Sequence, residues 1–151
     1  MKTFFALGAL AALCQSALSL KEGTYTIGSE ITQGHEILGE TEGQGPLSFS
    51  PERGNHPGQT WFFTPTQNSQ RDFLIHNTFG GYINCGDQEG DECVAGDNKE
   101  VYTAELVNPK SKSYELVAKK SGFFLRTNGD SLQIAGFDQS PEERFILTPT
   151  Q

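Results

Sequence analysis

The chain has 151 residues, room for one hydrophobic core and not for two. Its 11 Lys and Arg stand against 19 Asp and Glu, a net charge of -8, which excludes a phosphate-tracking surface and with it nucleic acid or anionic membrane as a principal partner. The 17 Gly and 7 Pro favour a turn-rich β protein over a helical bundle, and 11 Phe, 4 Tyr and 1 Trp supply a core that a disordered chain lacks.

Lys2, the apolar run from Phe4 to Leu13 and the small-residue stretch from Gln15 to Ser19 have the layout of a secretory signal. Ala17 and Ser19 stand at the two places a signal peptidase reads, so cleavage is expected after Ser19. Residues 1–19 are then an address and residues 20–151 a single domain, in a secreted, extracellular protein. The apolar run is too short to span a bilayer by itself, and no membrane insertion is expected.

Tyr25-Thr26-Ile27 alternates apolar and polar positions, the period of a half-buried strand. Ile37-Leu38 reads as a second strand, and Leu47 with Phe49 as a third. The loop from Ser50 to Gly58 precedes Trp61-Phe62-Phe63-Thr64-Pro65-Thr66-Gln67, a strand stopped by proline. The order then recurs. Phe73-Leu74-Ile75, Tyr82-Ile83 after Gly80-Gly81, and Val94 form a second set. Tyr114-Glu115-Leu116, Phe123-Phe124-Leu125 after Gly122, and Leu132 with Ile134 after the hairpin signal Asn128-Gly129-Asp130 form a third. Phe145-Ile146-Leu147-Thr148-Pro149-Thr150-Gln151 matches the Trp61 segment in kind, roughly 84 positions downstream, and Leu106-Val107-Asn108-Pro109-Lys110 is a weaker copy near the midpoint. Repeats of roughly 23–67, 71–110 and 112–151, each with four short strands, predict an all-β chain. A β-trefoil is preferred to a three-bladed propeller because its sheet closes as a barrel and leaves no free edges.

Cys14 leaves with the leader, so Cys85 and Cys93 remain as one pair in an oxidising compartment and are expected to be bonded. They enclose an acidic loop whose Asp87, Glu89, Asp91 and Glu92 lack EF-hand spacing: Gly90 falls at the wrong place and Asn98 stands where the last Glu is required. That loop reads as a solvated tip, with no metal. His35, His56 and His76 have no ligand spacing and read as solvated. The sequence carries no G-x-S-x-G, no H-E-x-x-H and no Cys beside a His partner, so neither an enzyme nor a cofactor is expected.

The opening Gly23-Thr24-Tyr25-Thr26-Ile27, the Gln59-Thr60-Trp61 triplet closing the first repeat and the threefold period resemble secreted β-trefoil proteins of the ricin B lectin kind. The resemblance covers nearly all of the chain after the leader. Gln-x-Trp is that family's repeat signature; the middle repeat departs from it with Glu100-Val101-Tyr102 and the third with Glu143-Arg144-Phe145. In that family the triplet mainly packs the core, so it speaks for fold more than for sugar binding. In opening and length the chain also resembles fungal protease inhibitors of the mycocypin type, which share the fold.

Carbohydrate recognition needs an aromatic face for sugar C–H groups and polar side chains for hydroxyls, on loops of a rigid scaffold. The third repeat offers Asn128 and Asp130 on one turn and Phe137, Asp138 and Gln139 after its third strand. The expected partner is a neutral glycan or a glycoprotein, unless a basic patch of Lys119, Lys120 and Arg126 favours an anionic one. The second repeat offers Asp97-Asn98 and a separate Phe79. The alternative partner is a protease, met by an exposed loop carrying Pro51, Arg53, Asn55, His56 and Pro57. A host-interaction protein with neither activity is the remaining reading.

Overall fold

The computed structural model describes residues 19–40, 45–54 and 56–150. The expected leader up to residue 18, Asn55 of the expected inhibitory loop and Gln151 of the last repeat copy lie outside the described residues. The first repeat contributes β1 (Gly23–Ser29), β2 (Glu36–Gly39), β3 (Ser48–Pro51) and β4 (Trp61–Pro65). The second contributes β5 (Asp72–Asn77), β6 (Tyr82–Asn84), β7 (Val94–Gly96) and β8 (Val101–Asn108). The third contributes β9 (Ser113–Ala118), β10 (Phe124–Asn128), β11 (Ser131–Ala135) and β12 (Phe145–Pro149). Single turns of 3-10 helix at Pro57–Gln59 and Pro141–Glu143 precede β4 and β12.

The strands form where alternation gives one buried face: in β11, Leu132 and Ile134 point inward and Ser131, Gln133 and Ala135 outward. The first and fourth strands of each repeat make a closed antiparallel ring, β1 to β4, β4 to β5, β5 to β8, β8 to β9, β9 to β12 and β12 back to β1. The hairpins β2–β3, β6–β7 and β10–β11 cap one end of this barrel. They meet one another through Ser131 opposite Ser48, Pro46 opposite Val94 and Glu92 opposite Gln133.

Trp61, Tyr102 and Phe145 occupy equivalent places near the start of β4, β8 and β12, and all three are fully buried. Trp61 Nε1 donates to the Leu38 carbonyl at 3.0 Å, and the Tyr102 hydroxyl donates to the Ile83 carbonyl at 3.0 Å. Phe145 has no polar atom and stacks on Phe49, centroids 6.1 Å apart. Counted from these aromatics, Leu106 and not Pro109 stands where Pro65 and Pro149 stand. β8 runs on to Asn108 through a register shift between Leu106 and Asn108, so the midpoint copy of the strand-and-stop motif is displaced by a bulge.

Two sequence expectations need correction here. His76 is half-buried rather than freely solvated: its ring lies against Phe62 at 5.0 Å and Tyr82 at 5.3 Å, and burial lowers its pKa. His56 has a structural task, its Nδ1 accepting the Gly58 amide at 3.1 Å as the N-cap of the first 3-10 turn.

Candidate functional site

The β10–β11 hairpin turns through Gly129, at φ +60°, and Asp130. Its register sets Phe124 opposite Ala135, Arg126 opposite Gln133 and Asn128 opposite Ser131. Leu125 and Thr127 are buried, so Phe124, Arg126 and Asn128 form a row on the outer face. Residues 136–143 then cross back over this row. The Phe137 ring rests on Phe124 with centroids 4.9 Å apart and remains 52% exposed. Beside it Arg126 forms an ion pair with Asp138, and Asn128 Nδ2 reaches Gln133 Oε1 at 3.4 Å. The result is an aromatic platform followed by a strip of donors and acceptors.

The loop is held from within. Glu143 Oε1 accepts the Asp138 amide at 3.0 Å, Asp138 Oδ1 accepts the Ser140 amide at 2.9 Å, and Thr127 Oγ1 donates to the Glu142 carbonyl at 3.4 Å. Gln139 sits in the left-handed region at φ 60°, its carbonyl accepting from Arg144 at 3.4 Å. The Ser140 hydrogen bonds, helped by Arg126, hold the Asp138 carboxyl down to about 2, so it is an anion at any physiological pH.

Of the five residues read from sequence, Asn128, Phe137 and Asp138 share this face. Gln139 shapes the loop behind it. Asp130 lies in the hairpin turn, away from this row, where its carbonyl accepts the Phe49 amide at 2.8 Å and ties the hairpin to β3. Sequence reasoning missed Phe124 and Gln133, although strand parity carries that signal: alternate positions of one hairpin share a face. It also grouped Arg126 with Lys119 and Lys120. The basic patch does not form, because Arg126 is paired with Asp138 and Lys119 with Asp72.

An acidic border flanks the face. Cys85 and Cys93 are bonded, but the loop they enclose is not a free tip. It lies along β11, with Gly90 N donating to the Ile134 carbonyl at 2.7 Å, Ile134 N to Asp91 O at 3.1 Å and Cys93 N to Leu132 O at 2.8 Å. Glu89 Oε2 also accepts the Gly136 amide at 2.8 Å.

The other sites are less complete for sugar recognition. A cavity of about 610 Å³ lies among residues 85–87, 98–101 and 118–121, and no aromatic ring lines it. In the exposed loop at Pro51 and Arg53, the buried Gln59 braces the backbone: its Oε1 accepts the Arg53 amide at 2.9 Å, and its Nε2 donates to Pro51 O and Ser50 Oγ, both at 3.1 Å. His56 meets Phe79 edge-on at 6.4 Å.

No family profile and no curated protein matches the chain. Solved structures do match it. The Rhizoctonia solani agglutinin superposes with a TM-score of 0.73 at 16% identity, over 87% of this chain and 98% of that one. A Macrolepiota procera ricin B-like lectin in complex with lactose gives 0.72 at 14%, over 87% and 99%. A proteinase inhibitor from Coprinopsis cinerea gives 0.67 at 16%, over 87% and 100%. The fold is a β-trefoil. In a β-trefoil the loops joining third to fourth strands are pseudo-equivalent, so Gln59 under the Arg53 loop and Glu143 under the Asp138 loop are one element used twice. Identities this low establish the β-trefoil alone, and its site is argued from its own residues.

Proposed function

We propose that the chain is a secreted, non-catalytic carbohydrate-binding protein that recognises a neutral glycan on the outer face of its third repeat. The observation that carries this reading is Phe137, half open to solvent yet seated on Phe124 beside the Arg126–Asp138 pair. An apolar ring kept exposed by a braced loop, with Gln133 and Asn128 adjoining, has the composition that a sugar's C–H face and hydroxyls require. Stacking contributes about 1 kcal/mol beyond area burial and each hydroxyl hydrogen bond about 0.5 to 1.5 kcal/mol, so a single site is weak and useful avidity comes from multivalent glycans. Asp138 and Glu89 favour neutral sugars over sialylated or sulfated ones. Residues 1–19 act as the leader in this proposal, and a disulfide fits the oxidising compartment to which it directs the chain.

Glycan-array binding tests the reading. Wild type is expected to bind, and Phe137→Ala to lose most of the signal while its Tm matches wild type; equal binding by both removes this site. Protease inhibition is the second reading, favoured by the Gln59 brace under the exposed residues 51–54. It ranks second because the Arg53 amide, which a substrate-like inhibitor would offer to its protease, is turned inward to Gln59. A wild type that binds no glycan but blocks a serine or cysteine protease would reverse that order.

A further inference from the structure

The first repeat uses both ends of the Gln59 carboxamide, an acceptor for the Arg53 amide and a donor to the Pro51 carbonyl. The third repeat has a carboxyl group in that place. Glu143 is 0% exposed, its Oε1 accepts the Asp138 amide, and its Oε2 is buried with no hydrogen-bond partner. Aligning Arg53 with Asp138 aligns Pro51 with Gly136, so the carbonyl matching Gln59's acceptor belongs to Gly136. An ionised carboxylate has nothing to donate to a carbonyl; a carboxylic acid does.

We propose that Glu143 is the positioning residue of the loop carrying Phe137 and Asp138, and that it works protonated, its O–H standing in for the Gln59 Nε2 donor. The loop is closed in mild acid and loosens when Glu143 ionises, because the anion leaves a buried charge with one oxygen unpaired. The consequence for glycan binding, tighter in acid than at neutral pH, rests on the carbohydrate reading; the positioning role does not.

The surroundings favour the proton. Burial pushes Glu143 up, and the charge of Asp138 and a side-chain hydrogen bond with its carboxyl push the same way, against the Asp138 amide and Arg126 of β10. Glu142 lies alongside and shares a small cavity with Glu36 of β2. Arg144, the neighbouring cation, is engaged with Glu30 from the turn after β1 at 3.5 Å. Glu89 of the disulfide loop is on the Gly136 amide.

The test is an NMR titration of the isotope-labelled secreted protein between about pH 4 and about pH 8, bracketing the ordinary Glu range. The Glu143 carboxyl carbon is expected to titrate above that range, with the Asp138 amide shift following the same midpoint. Above it, the exchange protection of the Asp138 amide, corrected for intrinsic rate, falls about tenfold or more. In Glu143→Gln the Asp138 amide should no longer follow pH and should stay protected throughout, whereas Glu142→Gln should behave as wild type. A Glu143 carbon titrating in the ordinary range, or Asp138 protection indifferent to pH, overturns the proposal. So does a folded Glu143→Gln in which Asp138 is unprotected at every pH; if that variant does not fold, the wild-type titration decides alone. Wild-type glycan arrays run at both ends of the pH range separate the two readings: no binding at either end with the titration intact removes the carbohydrate reading and keeps the positioning role.

Discussion

At Trp61 and Tyr102 an aromatic ring fills the barrel while its one polar atom meets a carbonyl of the second strand, Leu38 in the first repeat and Ile83 in the second. A ring of this size can be buried only because that atom has a partner. Burial and the nearby Glu100 raise the Tyr102 pKa, so the phenol keeps its proton over the working range. Tyr102→Phe is expected to lower unfolding free energy by about 1 to 3 kcal/mol, the cost of leaving a buried carbonyl without its donor. Phe145→Ala, which loses only packing, should cost about 3 to 5 kcal/mol. Urea denaturation with unchanged m-values would check both, and a Tyr102→Phe protein as stable as wild type would mean the hydroxyl contributes nothing net.

The disulfide loop shows how an element without regular structure can finish a sheet. Its backbone covers β11 at Leu132 and Ile134, and Glu89 holds Gly136 at the entrance to the Phe137 loop. A paired Cys85→Ser and Cys93→Ser change is expected to cost about 2 to 3 kcal/mol by the chain-entropy account of a short loop. It should also speed hydrogen exchange at Cys93 position, Ile134 and Gly136 more than in the barrel strands; uniform exchange would disprove the docking role. Much of this architecture was legible beforehand, because period-two alternation and the Gly-containing turns are local signals that mark the first two strands of each repeat and the fourth strand of the first and third. The Pro109 copy hid the longer β8, since a bulge adds a residue without changing the motif. The seating of the acidic loop on β11 was not legible, because pairing between distant segments leaves no periodicity in either. Phe137 and Asp138 could be found as a loop; parity puts Phe124 in the row of Arg126 and Asn128, but the crossing of residues 136–143 over that row leaves no local signal.

At the scale of the whole molecule, a few carboxyl groups pull stability in opposite directions with pH. Burial raises Glu100, Glu115 and Glu143 above the ordinary Glu value. Their contribution is fully present below the unfolded-state value and is lost as pH rises through the folded one. For Asp72, burial pushes upward but the bonds from Lys119 and Thr103 outweigh it and lower the pKa; its contribution is present above the unfolded-state value and lost as pH falls through the folded one. Lys119 is exposed, which limits this second effect to about 1 kcal/mol or less. Thermal stability should therefore peak in mild acid, and Glu100→Gln should flatten its decline toward neutral pH, as melting curves across that range would show; an unchanged decline would exclude Glu100 as a cause. Finally, β1 pairs with β12 along Tyr25–Ser29, and Thr150 bonds Thr24 through amide and hydroxyl at 2.9 and 2.8 Å. Within this barrel β1 thus waits for β12, and until Phe145 to Thr150 have emerged the barrel carries two raw strand edges that can capture another copy. A permuted gene that joins Thr150 to Thr24 and begins at the exposed Gly122 turn would place that β12–β1 pair on a short local linker and pass the wait to β9, which closes against β12 and β10.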